Sequence, residues 1–447
     1  MRSARRHTMV AMVVASVALT AACGGGTAEE PETAPDDGAS EAPEEAEVGG
    51  EVQYAWWGGP ARNERTQAVI DLYEAANPGV TVNGTTAEFT SHWENMTVQA
   101  AGGNLPCIPQ MQNRTMADYG DRGALRALDD LVESGAIDVT NIPESVLDSG
   151  RGADGNLYMI PYGAAFGSMM VNETTISELG LELPPEGYDW DWLQEWLLEI
   201  SEATGQPAMG NVGQHTDLFE AWVRSHGEEL YTEEGIGFTA GTVQAYWEWV
   251  AELADAGAID SPERGVETRG QPVEQSDFAQ GTRAAHIWPA NALGTVQGAI
   301  DQVEPGNVLA VYPLPSGPDG PGNALWLSGL AIAENCDNVD TAASFIDFFV
   351  NDGEAALAYA SDNGANTNTE NLQLLLDSPD ISDAKKSELE LYRTLTDLGV
   401  GRTIYGKGFA AIFQQGFTRF YEQLSLQGQD LGEAAEQFLS EAENTIG

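Results

Sequence analysis

Beyond residue 50 the chain alternates short apolar runs with longer stretches in which apolar residues recur every three or four positions, the pattern of strands and amphipathic helices taken in turn. Val52-Gln53-Tyr54-Ala55-Trp56-Trp57 reads as a strand, stopped by Gly58-Gly59-Pro60. Helical spacing over 66–76 predicts a helix ending at Asn77-Pro78-Gly79, before a second strand at 80–82. Strand, helix and strand within about 30 residues form a βαβ unit, with parallel strands and a right-handed crossover. A helix near 92–101 closes at Gly102-Gly103-Asn104 and feeds a third strand at 107–111. The first half therefore begins as an α/β domain. Segments 157–161 and 167–171 read as extended around Tyr162-Gly163, where the chain can cross into a second domain. Helices follow at 190–204, 217–227 and 242–256, then a strand at 325–333 and a helix at 341–350, and two more helices close the chain. No internal repeat or long heptad run is visible.

The start of the chain has a different pattern. Arg2, Arg5 and Arg6 precede an apolar run over 9–19 that ends in small residues, the layout of a secretory signal and too short to span a bilayer. Leu19-Thr20-Ala21-Ala22-Cys23-Gly24 resembles the bacterial lipobox, with Thr20 where Leu is common. The reading is a signal peptide over 1–22 and an acylated Cys23; a cleaved signal that happens to end in Cys is the alternative. From there to residue 50 no aromatic or basic residue occurs, so 23–50 cannot bury a core and reads as a disordered acidic tether. The expected location is the outer face of the cytoplasmic membrane, lipid-anchored, with no later segment apolar enough to span it.

Composition narrows the function. The net charge of -51 argues against nucleic acid, whose phosphates it would repel. Lysine is confined to Lys385, Lys386 and Lys407, a bias compatible with a salt-tolerant secreted protein. About 400 residues beyond the tether imply two domains. Besides Cys23 there are Cys107 and Cys336, which in an oxidising compartment suggest one disulfide, the alternative being two separate buried thiols.

The order of landmarks resembles the family 1 extracellular solute-binding proteins, the group of maltodextrin- and oligosaccharide-binding lipoproteins. The matching pieces in the first part are Trp56-Trp57-Gly58, Tyr73-Glu74-Ala75-Ala76-Asn77-Pro78-Gly79-Val80, Ala100-Ala101-Gly102-Gly103-Asn104-Leu105-Pro106 and Gly155-Asn156-Leu157-Tyr158-Met159-Ile160-Pro161-Tyr162. Later come Phe278-Ala279-Gln280-Gly281-Thr282-Arg283-Ala284-Ala285, Tyr312-Pro313-Leu314-Pro315-Ser316-Gly317 and Ala342-Ala343-Ser344-Phe345-Ile346-Asp347-Phe348-Phe349. Cys107 departs from the family, which usually has Asp after the Pro. The resemblance implies an α/β fold of two periplasmic-binding-protein-like lobes (type II) joined by hinge strands. One lobe would comprise 51–162 plus 314–365, the other, rich in helices, 163–313 plus 366–447. It also implies that the strand near Cys107 runs antiparallel to the one ending near Ala333, bringing Cys107 close to Cys336. The implied partners are a sugar or small oligosaccharide and the permease subunits of an ABC importer, with no cofactor, no metal and a monomeric chain.

A sugar offers apolar C–H faces and a rim of hydroxyls, so its site needs aromatic plates and planar polar side chains. Of the eleven tryptophans, Trp190, Trp192, Trp196, Trp247 and Trp249 lie on helical patterns and read as core. Trp56 and Trp57 end a strand, where α/β sheets place their crevice, so one of the two is expected at the cleft. Gln112, Asn113 and Arg114 follow the third strand, and His92 and Trp93 the second. Trp288 and Asn291 lie in Arg283-Ala284-Ala285-His286-Ile287-Trp288-Pro289-Ala290-Asn291, a strand and loop where the family stacks sugars, which makes Trp288 the first choice. Tyr162, Trp222, Trp326 and Arg402 complete the candidates. No metalloprotease helix, nucleophile elbow or Cys/His spacing occurs, and Gly401-Arg402-Thr403-Ile404-Tyr405-Gly406-Lys407-Gly408 imitates a phosphate loop without its Ser or Thr. Binding without catalysis is the reading; a secreted carbohydrate-active enzyme and a binder of a non-sugar solute are the alternatives.

Overall fold

The computed structural model describes residues 48–446 apart from Asp121, Glu233, Asp319 and Gly401. The expected signal peptide, Cys23 and nearly all of the tether lie outside the described residues. Near the start of the described residues the Gly49 N–H donates to the Thr341 hydroxyl at 2.9 Å. Strand β1 (Gly50–Trp57) follows at once, then helix α1 (Pro60–Ala76), strand β2 (Val80–Ala87), helix α2 (Phe89–Gly102), strand β3 (Ile108–Gln112) and helix α3 (Asn113–Gly120). The first helix starts six residues before the apolar spacing suggests. Pro60 occupies its first turn, where a missing N–H costs nothing, and so opens the helix instead of prolonging the turn. Asn77 caps its end and Gly103, at φ 64°, ends α2 in the left-handed conformation.

β1 pairs in parallel with both β2 and β3, the arrangement that the βαβ pattern requires. Strands β4 (Ile160–Ala165) and β5 (Gly167–Asn172) then diverge into different sheets. β4 joins the first sheet through the strand Trp326–Leu330, which runs antiparallel to β3 on one side and to β4 on the other. Ala365–Asn366 adds a sixth strand beyond β4, and there Gly163 is required, since a Cβ would sit 2.7 Å from the Asn363 carbonyl oxygen. Cys107 is disulfide-bonded to Cys336, their Cα atoms 4.7 Å apart, across this antiparallel pair. β5 is the centre of a second, three-stranded sheet between Ala285–Pro289 and Leu309–Tyr312.

Two hydrophobic cores follow from the two sheets. One gathers Val52, Tyr54, Trp56, Ile108, Leu330 and Phe345 around the six-stranded sheet. The other gathers Met169, Trp196, Phe219, Trp247, Phe413 and Phe438 around the three-stranded sheet and its helices. We refer to them as the first and second lobes. Leu293, Val296, Leu389 and Leu395, from stretches assigned above to the second lobe, pack into the first core. The C-terminal part is richer in helices than its apolar spacing suggests. After Val339–Asn351 come five α-helices, not two, with a π-helix over Ala410–Phe417. Two of them, Gly353–Tyr359 and Thr369–Asp377, are only two or three turns long, and these two and the longer Asp383–Asp397 start at the polar caps Asp352, Asn368 and Ser382, whose oxygens accept backbone N–H groups. No helix among the described residues is long and apolar enough to cross a membrane.

Candidate ligand-binding cleft

The segments that follow the carboxyl ends of β2 and β3 carry residues that open onto a cavity of about 870 Å³. The first lobe contributes Phe89 and Trp93 from α2, Gln112 at the end of β3, and Arg114 at the start of α3. The second contributes Phe409, Gln414 and Gln415, from the π-helix and the residue before it. The position follows the rule that open α/β sheets place ligands beyond their strand ends. Trp57 lies behind this wall: it is buried, its ring edge-on to Phe89 at 5.7 Å and tilted against Trp93 at 5.5 Å. His92 is buried beside it, with Nε2 3.1 Å from the Gln110 carbonyl. Burial pushes the imidazole pKa down, against backbone bonds to Gln110 and Trp56 that push it up, so the ring is a neutral support for the wall. Trp93 is half-buried, and its Nε1 has no partner among the described residues.

A second cavity, about 340 Å³, adjoins the first, because Gln414 lines both. Trp288 is half-buried in its wall at the end of the strand Ala285–Pro289. Alternation along a strand puts His286 on the same face, and the two rings stack at 5.2 Å and 15°. Phe278 extends the stack, 5.9 Å from His286 at 17°. Burial, then the neighbouring His215, lowers the His286 pKa to about 3 against the pull of Asp277, so the ring is neutral at physiological pH. His215 is lowered as well, by burial, and also lines the cavity. Each charged side chain that lines it has an ion-pair partner: Arg283 pairs with Asp260 at 2.6 Å within the wall, while Asp277 pairs with Arg264 at 2.9 Å and Arg269 with Glu422, both partners outside it. The wall thus offers an aromatic plate, two neutral imidazoles and amides such as Gln214 and Gln414.

The other candidates separate. Trp56 is a core residue whose indole N–H donates to Asn63 at 2.9 Å. Trp222 is buried between Trp190 and Trp249. Tyr162 is buried, its hydroxyl accepting from Asn363 at 3.1 Å and bonded to Gln110. Asn113 is consumed by backbone, donating to the Leu325 carbonyl at 3.1 Å and accepting from the Leu327 N–H at 3.0 Å. Arg402 lines another cavity, together with Asn113 and Lys407. Asn291 lies in a polar crevice with Arg65, Asp362 and Lys385. Trp326 is buried, with Nε1 donating to Glu220 at 3.1 Å and its ring 4.1 Å beneath the Arg114 guanidinium. Trp93, Gln112 and Arg114 therefore share one cavity and Trp288 lines its neighbour, while Trp56, Trp57, His92, Tyr162, Trp222 and Trp326 are buried.

Several wall residues carried no readable signal. Phe409, Gln414 and Gln415 sit in a segment whose apolar spacing suits an ordinary α-helix, yet its hydrogen bonds follow the wider π pattern, a feature that recurs at functional sites. Glu220 and Asp217 look like ordinary helix carboxylates until the fold brings Arg114 to them.

Comparison with known proteins agrees with this architecture. A chain from Alicyclobacillus acidocaldarius, an extracellular solute-binding protein of family 1, superposes with a TM-score of 0.72 at 23% identity, covering 90% of this chain and 99% of that one. The GacH receptor of Streptomyces glaucescens, solved unliganded and with acarbose, gives 0.70 at 19% identity over 90% of this chain and 99% of its own. A Brucella abortus protein assigned a binding role is 24% identical over 292 residues, 63% of this chain and 67% of its own. The family model for bacterial extracellular solute-binding proteins matches residues 57–356 of the 447, and the chain belongs to that family.

Proposed function

We propose that the protein captures a sugar or small oligosaccharide between its lobes and presents it to the membrane permease of an ABC importer, held near the membrane by an acylated Cys23. The observation that carries the carbohydrate half is the aromatic wall at Trp288, whose charged side chains are ion-paired, adjoining a cavity of about 870 Å³ formed by both lobes. Volumes of this order suit ligands larger than one small polar molecule. Trp288 supplies a face for sugar C–H groups, and Gln112, Gln214 and Gln414 can donate and accept together. Binding at both lobes favours the closed form by the contacts that only that form makes. Acarbose on the GacH receptor gives external support for a saccharide. The test is a thermal-shift screen over a panel of saccharides, amino acids and peptides. A specific ligand at 100 times its dissociation constant adds about 2.7 kcal/mol. A panel in which only peptides or amino acids raise the melting temperature would refute the sugar reading.

A further inference from the structure

Like Arg122, Arg114 lines the cavity; it follows the third strand, where a polar ligand contact is expected. Its guanidinium is already held. It donates to Asp217 at 2.9 Å and to Glu220 at 3.3 Å, both on the helix Thr216–Ser225 of the second lobe, whereas Arg114 belongs to α3 on the first sheet. It also lies 4.1 Å over Trp326, 4.7 Å from Phe409 and 5.4 Å from Tyr405. The Glu220 side chain is 2% exposed and accepts two further bonds, from Trp326 Nε1 at 3.1 Å and from the Tyr405 hydroxyl at 2.6 Å. One guanidinium is thus shared by two carboxylates and three rings. Burial alone would discourage its charge, but Tyr405, Asp217 and Glu220 outweigh that effect and raise its pKa.

Opening the lobes would separate a buried charge from its partners, which is costly unless water reaches all of them together. The same two carboxylates outnumber the guanidinium, so an anionic ligand group arriving from the cavity meets a site that is negative on balance. We propose that Arg114 is a closure-positioning and specificity-determining residue: clasped by Asp217 and Glu220, it draws the lobes together without ligand and leaves the cleft selective for uncharged sugars over sugar acids. The selectivity half rests on the sugar reading above; the clasp does not.

The experiment uses D217N and E220Q in the full chain. Asp217 is 31% exposed on its side chain, so D217N is the variant that retains folding with least disturbance, checked by circular dichroism. Small-angle scattering of the ligand-free proteins reads lobe separation, and calorimetry reads affinity for a neutral galactose trimer and for trigalacturonate. Both variants should have a larger ligand-free radius of gyration than the parent protein. Each should shift the acidic-to-neutral affinity ratio toward the acid by about tenfold, because the amide keeps the shape and the acceptor oxygen but removes one of the two negative charges that repel a ligand carboxylate. Unchanged radii in both variants would overturn the clasp, and a parent protein that prefers trigalacturonate would overturn the selectivity. Failure of the parent to bind either trimer would count against the sugar reading, and the scattering result would still decide the clasp.

Discussion

Removing the Cys107–Cys336 bond should destabilise the first lobe without altering ligand affinity, and the size of the effect follows from the chain between the cysteines. The bond closes a loop with a sequence separation of 229, which in the chain-entropy model removes about 5 kcal/mol of conformational freedom from the unfolded state. Residual structure in the unfolded chain lowers the realised value, so 5 kcal/mol is an upper figure. If the roughly 400 folded residues melt together, an unfolding entropy of about 2.1 cal/mol/K per residue converts this to a fall of about 6 °C. If the bonded lobe melts alone, the fall is about twice as large, because half the entropy opposes the same free energy. The bond joins the residue before β3 to the turn after the strand Trp326–Leu330, beside the Ala333 N–H to Cys107 carbonyl bond at 3.0 Å, so both of its ends lie in the first lobe. The C107A/C336A protein and the parent would be compared by calorimetry and by guanidinium titration, with ligand affinity measured on both. Equal melting temperatures and equal denaturant midpoints would refute the loop-entropy reasoning. A large loss of affinity in a folded double variant would refute the confinement of the bond to one lobe.

Three further outcomes can be checked. Trp288→Ala should weaken saccharide binding by about fivefold or more, the loss of about 1 kcal/mol of stacking, with little change in melting temperature because the ring is only half-buried; equal affinities in calorimetry would remove Trp288 from the site. His286 is held neutral with a folded pKa of about 3 against an ordinary 6.5, so the unfolded chain binds the proton first. Its contribution is complete above pH 6.5 and is lost as pH falls toward 3; His286→Phe should therefore lose less stability than the parent between pH 7 and pH 4.5, and parallel urea midpoints across that interval would count against this. With a net charge of -51, the folded state should melt higher as sodium chloride rises from low to molar concentration, and a salt-independent melting temperature would show that self-repulsion is unimportant.

What could be read from the residues depended on how far apart the determining partners lie. The opening strands and helices were legible because Gly58-Gly59, Asn77-Pro78-Gly79 and Gly102-Gly103 punctuate them locally, and the parallel pairing of β1 with β2 follows from a single short crossover. The π-helix was not, because the packing that accompanies it is distant: Phe413 and Phe417 lie against Phe438, and Phe417 also stacks on Phe219 and Trp247. The tryptophans show the same limit more sharply. Trp56 is tied to Asn63, seven residues away, whereas Trp326 is tied to Glu220, 106 residues away, and both are removed from solvent by partners that composition does not reveal. Trp288 differs in that its neighbours on the strand, His286 above all, were already visible as alternating positions. Arg114 is the decisive case. Its place after the third strand marks it as a cleft residue, and it does line the cavity, but its chemistry is set by Asp217 and Glu220, 103 and 106 residues further on. Position along a strand identifies which side chains can reach the cavity; the charge that Arg114 presents there is set by Asp217 and Glu220 of the opposite lobe, which no local pattern around Arg114 reveals.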